Sequence, residues 1–319
     1  MTSSPLLSVR QARVDRDGAP LCEGLDVEAD GQRVVIAGPG AEGIFEAIAM
    51  AATVSHGRIL VAGYDVATRS HVGHVGIAPL DPPLPIRMTV EGYLDLSFRT
   101  LGLSGRAANT AVAASLTDLG LASLARRRTD SLAVPERRAV ALAAAMLPGS
   151  RSLVAHAPLL GLEGLESQYV LSVLGHISAR RQVLATALRF DAASPERDLV
   201  LGATHVVLTS RHAALWAGAS ADLVTGSPKL ALYVRDATNA FVDALAQAGF
   251  LPHGTPPRLT VTLSGHVTTM DLLSIAQRTN AAIVEMIPLS RAQAPTPDAD
   301  SCTPAPESTE PPTEESPHA

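Results

Sequence analysis

A chain of 319 residues, 46% of them hydrophobic, can bury one large core or two moderate ones. No apolar stretch approaches the roughly 18 residues of a membrane-spanning helix. Cys22 and Cys302 lie too far apart in sequence to suggest a disulfide framework or a metal site, and a formal charge of −6 disfavours a nucleic-acid partner.

The opening Met1-Thr2-Ser3-Ser4-Pro5 carries neither a charged segment nor an apolar one, so a cytoplasmic protein without a secretory leader is expected. Leu6 to Val9 and Leu25 to Val27 flank the turn-rich Asp15-Arg16-Asp17-Gly18 and read as a β-hairpin or meander. Val34 to Ala37 is a short apolar run suited to a buried strand. Gly43 to Thr53 follows as a helix, with Ile44, Phe45, Ile48 and Ala52 near helical spacing. Gly57 to Asp65 reads as an edge strand ending in a turn, and His74 to Ala78 as a further strand. Thr89 to Leu147 is helical in pattern: Val90, Tyr93, Leu94 and Phe98 recur at helical spacing, Ala107 to Leu119 is alanine-rich, and Pro135 opens a helix over Glu136 to Leu147. Leu153 to Ala155 and Gln182 to Ala185 are predicted strands separated by a helix over Gln168 to Ala179, and His205 to Thr209 with Ala213 to Trp216 forms a hairpin. Strands alternating with helices predict an α/β sheet interrupted by a helical insertion at about 89–147.

The strand, glycine turn and helix around Gly38-Pro39-Gly40-Ala41-Glu42-Gly43-Ile44-Phe45 have the skeleton of the phosphate-binding pattern G-x-x-x-x-G-K-[ST]. In that pattern the loop amides face phosphates, the lysine reaches the β/γ oxygens and the hydroxyl holds magnesium. Gly38 and Gly43 keep the spacing and Gly40 lies between them. Ile44 stands at the lysine and Phe45 at the hydroxyl, and neither can donate to a phosphate or coordinate a hard cation. Glu42 adds negative charge where a polyanion would sit. Of the 25 basic residues only Lys229 is a lysine, so none lies near this loop.

The layout of about residues 5–225 resembles the ATP-binding subunit of ABC transporters. Gly57-Arg58-Ile59 with Gly63-Tyr64-Asp65 matches that family's strand and turn after the first helix. Ile77-Ala78-Pro79-Leu80-Asp81 followed by Met88-Thr89-Val90-Glu91 is similar to its glutamine loop, with Leu80 at the glutamine. Ser131-Leu132-Ala133-Val134-Pro135-Glu136 corresponds to the L-S-G-G-Q signature and keeps only Leu132. Leu153 to Glu163 corresponds to the segment D-E-P-T-x-G-L-D, with His156 at the magnesium aspartate, Ala157 at the catalytic glutamate, and Pro158, Gly161 and Leu162 retained. The switch histidine falls at Leu188 and the adenine-stacking aromatic near Asp15.

The resemblance thus implies a P-loop NTPase-like ABC ATPase domain, 1–227, in which every catalytic position that can be placed is altered. Phosphoryl transfer on such folds depends on positioning and charge neutralisation, and loss of one such donor costs on the order of 100- to 1,000-fold in rate. No hydrolysis, no required cofactor, and at most weak binding of MgATP at Gly38, Gly40, Gly43, Ile44 and Phe45 are therefore expected. After Ser227, predicted strands at 229–234, 258–263 and 282–287 alternate with helices at 237–248 and 269–279. This 228–289 segment resembles the small α+β domain that follows the ATPase domain in subunits serving ABC-2 type exporters. The tail from Arg291 holds seven prolines and six acidic residues, a net −5 with Arg291 as its only basic residue, and is expected to be disordered.

Three functions stay open on these residues. One is a non-catalytic cassette subunit that pairs, as homo- or heterodimer, with a membrane permease or a competent ATPase chain at the inner face of the membrane. The others are an active subunit with divergent residues and an adaptor that has left transport. Plainer readings exist for single residues: His156 as a hydrogen-bonded core residue, Arg126-Arg127-Arg128 with Arg137-Arg138 as a solvated face, and Met88, Tyr93 and Phe98 as core packing.

Overall fold

The computed structural model describes residues 4–146, 148–188, 194–224, 229–236, 239–263 and 267–288. The expected disordered tail lies outside them. Among them no helix is long and apolar enough to cross a membrane.

β1 (Leu7–Arg16) and β2 (Ala19–Ala29) form the expected hairpin, with Asp17 and Gly18 at positive φ in its turn. β4 (Thr53–Val61) pairs with β1, and β5 (Tyr64–Asp65) completes an antiparallel sheet ordered β2-β1-β4-β5. Residues 57–61 were expected at an edge. They lie instead inside this sheet, because the short β5 folds back and takes the edge.

The second sheet has the order β10-β9-β3-β8-β7-β6, from β3 (Arg33–Ala37), β6 (Val75–Ala78), β7 (Ser152–Ala155), β8 (Gln182–Ala187), β9 (His205–Thr209) and β10 (Ala214–Gly218). Its ladders are parallel except for β10 on β9. The apolar run of β3 follows from this position. Val34 and Ile36 belong to a core shared with the antiparallel sheet and α1 (Gly40–Ile48), whereas Val35 and Ala37 belong to the core under the other helices. A strand buried on both faces has no polar side to display.

On that other face lie α2 (Val90–Thr100), α3 (Gly105–Asp118), α4 (Val134–Ala144), α5 (Gly164–Ser178) and α6 (Glu196–Leu201). Thr89 caps α2 by accepting from the Gly92 amide at 3.1 Å, and Val90, Leu94 and Phe98 form its buried stripe. α4 starts at Val134 and ends at Ala144, shorter than the expected run to Leu147, a residue outside those described. α5 begins four residues before its predicted start. The six-residue α6 and the single turn α7 (Ala221–Val224) were not anticipated.

Beyond residue 228, β11 (Lys229–Arg235), α8 (Asn239–Gln247), β12 (Leu251–Thr255), β13 (Arg258–Thr262), α9 (Thr269–Arg278) and β14 (Ala282–Pro288) make an antiparallel sheet ordered β12-β13-β11-β14, with a helix after β11 and another after β13. β12 is an addition to the predicted pattern: Pro252 and Gly254 obscure it, and it is an edge strand, where proline is tolerated. β11 alternates between two cores. Leu230, Leu232 and Val234 pack with Phe241, Leu245, Leu272 and Ile275, while Ala231 and Tyr233, joined by Ile287, pack on the main helical core.

Candidate functional site

The glycine loop sits where β3 meets α1, at the C-terminal edge of the parallel strands. The helix predicted from Gly43 to Thr53 begins at Gly40 and ends at Ile48, so what would be the phosphate loop is wound into the first turn. Pro39 at the N-cap, Ala41 as a helix former and Glu42 at the positive end of the dipole favour that winding. From Gly43 onward the backbone amides are engaged in i→i−4 bonds. The Gly38 amide donates to the Ala187 carbonyl at 2.9 Å and the Ala41 amide to the Gly38 carbonyl at 3.0 Å.

The three glycines have reasons that need no phosphate. Gly38 adopts φ +108°, and a Cβ there would stand 2.1 Å from the Thr209 carbonyl oxygen. A Cβ on Gly40 would stand 2.3 Å from the Ser210 carbonyl oxygen, and one on Gly43 2.8 Å from Cys22 Sγ. The turn is pressed between the end of β9 and the start of β2's contact with α1.

Ile44 is completely buried among the residues between the two sheets. Phe45 is 5% exposed and stacks on His156, with ring centroids 4.2 Å apart and planes 16° from parallel. The two positions at which magnesium would be anchored thus hold an aromatic pair in direct contact. The Ala157 amide donates to Thr186 Oγ1 at 2.9 Å, and the same hydroxyl is hydrogen-bonded to His156 Nδ1 at 3.0 Å. Burial pushes the imidazole below its usual range, with Glu42 opposing the shift. Burial thus favours the neutral over the charged ring. The His156 amide donates to the Ala78 carbonyl at 2.9 Å, and Ala157 sits at φ +40°.

The remaining positions are equally committed. Near the expected adenine platform, Asp15 accepts from the Ser55 hydroxyl and pairs with Arg13 at 3.0 Å; the Ser55 bond is the main cause holding its carboxyl below the usual range. At the start of α4, the Glu136 Oε2 accepts from the Ala133 amide at 2.8 Å. This is half a capping box, since Ala133 has no side-chain oxygen to reciprocate. The carboxylate, itself paired with Arg127, occupies the end of α4 to which an anion would be drawn. Arg137 bridges to Asp81, next to Leu80, at 3.1 Å. Leu188 is half-buried at the end of β8, and the residues that follow it lie outside those described.

One residue was not singled out from sequence: Thr186, for which a hydroxyl inside the apolar run of β8 is the signal that it needed a partner. Arg138, read from sequence with Arg137 as part of a solvated face, is instead 9% exposed on α4, where it donates to the carbonyls of Pro158 at 3.0 Å and Leu160 at 2.5 Å. It pins the loop after β7 against the helical layer, and burial lowers its pKa while Asp81, Glu196 and Glu166 oppose that.

Comparison with solved structures places this arrangement. CbiO1 from Clostridium perfringens, part of the ABC transporter complex CbiONQ, superposes with a TM-score of 0.58 at 17% identity, over 69% of this chain and 90% of that one. The fold is that of an ABC ATP-binding subunit. A bacterial Atm1-family ABC exporter with ATP bound gives a TM-score of 0.55 at 19% identity, over 70% of this chain and 40% of that one. An ATP-binding subunit of an ABC transporter gives 0.55 at 18%, over 68% and 91%. In sequence, a putative ABC transporter ATP-binding protein of Streptomyces avermitilis is 30% identical over 188 residues, which are 53% of this chain and 33% of that protein. The chain thus spans a third of the length of the curated relative it matches. No family model matches it.

Within the ABC fold the residues present do not fit MgATP. Ile44 offers no cation, Phe45 and His156 fill the metal position with rings, and α1 is wound through the loop. Among the described residues no group of three His, Cys, Asp or Glu side chains is placed to hold a metal ion.

Proposed function

We propose that this chain is a non-hydrolytic ATP-binding-cassette subunit, which contributes fold and contact surface to a transporter assembly without turning over ATP. The stack of Phe45 on His156 carries the reading. Magnesium and the γ-phosphate need that space, and opening it would expose the buried Phe45 ring and break the hydrogen bond between Thr186 and the half-buried His156. Gly38, Gly40 and Gly43 act in this reading as packing elements of the β3–α1 turn, and no cofactor is required.

The partners that suit such a subunit are a membrane permease, a second ATP-binding subunit, or both, as homo- or heterodimer. This rests on the ABC fold and on the neighbour that is part of CbiONQ. The location is then cytoplasmic, at the inner face of the membrane through the permease.

Thermal unfolding with rising MgATP tests the nucleotide half. A ligand at a hundred times its Kd stabilises by about 2.7 kcal/mol, so a competent site would raise Tm steadily. The expected result is no shift at millimolar MgATP. A saturable rise accompanied by phosphate release would establish the active-subunit reading instead. Membrane fractionation of the producing cells tests the partner half: the chain is expected with the membranes, released when its permease is deleted. A chain found wholly in the soluble fraction would support the adaptor reading.

A further inference from the structure

A cleft of about 400 Å³ opens at the N-terminal ends of β6, β7 and β8, the opposite edge of the parallel strands from the glycine loop. That is within the size range of small-ligand sites. From the parallel sheet it is lined by His74, which precedes β6, and by Ser152 and Gln182, the first residues of β7 and β8. From the antiparallel sheet Ser4 and Tyr64 line it. Tyr64 stacks on His74 with ring centroids 4.6 Å apart and planes 3° from parallel, which joins the two sheets along this rim. Gly63, at φ +83°, lets the turn close on Ser4: a Cβ there would stand 3.3 Å from the Ser4 hydroxyl oxygen.

Arg151 supplies the charge, and its backbone is fixed on both sides. Ser150 Oγ accepts from the Ser152 amide at 3.2 Å and donates to the Ser152 carbonyl at 2.7 Å, while the Arg151 carbonyl accepts from the Gln182 amide at 2.9 Å. The guanidinium is exposed and makes no ion pair among the described residues. Ser152 is only 2% exposed, yet its hydroxyl has no hydrogen-bond partner among them. A hydroxyl buried without a partner costs free energy that a ligand accepting from it would recover. The hydroxyls of Ser4 and Tyr64 are likewise unpartnered among the described residues. Neither Asp nor Glu lines the cleft. Asp65, beside Tyr64, is paired with Arg58 at 2.7 Å. Asp30 meets the rim only through Gln182 Nε2 at 3.4 Å, and its Oδ1 also accepts from the Gly31 amide at 2.8 Å. An unpaired guanidinium beside free hydroxyls, with no carboxylate lining the cleft, is a donor set for an oxyanion: the planar fork matches two oxygens and the hydroxyls serve the rest.

We propose that this cleft binds a phosphate-type dianion, as free phosphate or as a phosphate monoester, with the Arg151 guanidinium on two oxygens and the hydroxyls of Ser152 and Ser4 donating to the others. It stands apart from the glycine loop and does not rest on the nucleotide reading.

Calorimetric titration of the full-length chain with inorganic phosphate and, separately, with glycerol 3-phosphate tests this, with ionic strength held constant by sodium chloride. Saturable binding of at least one probe at a millimolar or tighter Kd is expected. Binding of phosphate alone assigns the free ion, and tighter binding of glycerol 3-phosphate assigns the ester. Arg151→Gln should weaken the bound probe by about tenfold or more, and Ser152→Ala by about threefold to tenfold, with urea midpoints showing that both variants are folded. A phosphate held instead at the start of α1 would be indifferent to both substitutions. The proposal fails if neither probe saturates by about 10 mM, or if either folded variant binds the probe unchanged.

Discussion

Gly40→Ala is a substitution for which two physical effects have opposite signs. Gly40 begins α1 with an ordinary negative φ, so alanine there gains helix propensity, about 0.5–1 kcal/mol in favour of the variant. Against this, the new Cβ would stand 2.3 Å from the Ser210 carbonyl oxygen, where a carbon needs about 3.3 Å. The neighbour is backbone and cannot rotate away. Ser210 is fixed by its amide to the Ala213 carbonyl at 2.9 Å and by its hydroxyl, which accepts from the amides of His212 and Ala213. Moving the β9–β10 turn by about 1 Å disturbs these bonds, and overpacking of this kind costs about 1–3 kcal/mol. Gly40→Ala is therefore expected to destabilise by about 1–2 kcal/mol. Gly175→Ala supplies the control: Gly175 lies inside α5 with open space at its Cβ, and alanine should stabilise there by about 0.5–1 kcal/mol. Urea unfolding of both variants gives the two signs. A stabilised Gly40→Ala would refute the view that packing, and not phosphate approach, requires this glycine.

Three further outcomes follow from the same geometry. The ionisation of His156 and of His205 is depressed by burial, so each binds its proton more readily in the unfolded chain. The stability this represents is present above the unfolded value near pH 6.5 and is lost as pH falls through the folded values; urea midpoints from about pH 7.5 to about pH 5 should fall, and His156→Gln should flatten the curve. Arg138→Met leaves the Pro158 and Leu160 carbonyls without their donor and should cost about 1–3 kcal/mol, with faster hydrogen exchange at 157–162; unchanged exchange would show that the guanidinium does not hold the loop. Ile44→Lys with Phe45→Ser restores the two side chains of the phosphate pattern, yet it places a charge in a site with no exposure and removes a stacked ring; loss of stability by several kcal/mol and no phosphate release are expected, and turnover would show that the catalytic set is intact elsewhere.

The strands most legible in the sequence are those buried on both faces. Val34 to Ala37, Leu153 to Ala155 and Val183 to Ala185 are unbroken apolar runs because cores lie on each side. β12 was hidden for the opposite reason: an edge strand tolerates Pro252 and Gly254, the residues that mark turns. α6 is shorter than two helical turns and presents no period to detect. At the site, the altered residues were readable one by one, but their consequence was not. Pro39 and Glu42 signalled a helix starting before Gly43, a signal overridden by the spacing of the glycines. The contact between Phe45 and His156 joins residues 111 apart and depends on the register of β7 against β8 and on the early start of α1. No local pattern encodes it.

The alternation along β11 bears on how the chain can be divided. Ala231, Tyr233 and Ile287 face the main helical core, while Leu230, Leu232 and Val234 face their own helices. Truncation at the start of β11 would part a strand that serves two interiors from one of them. Each fragment would then carry an apolar scar matching the other's, so neither is a natural expression unit. The C-terminal sheet packs on β10 through β11 and β13, and the turn that joins β9 to β10 presses on Gly38 and Gly40.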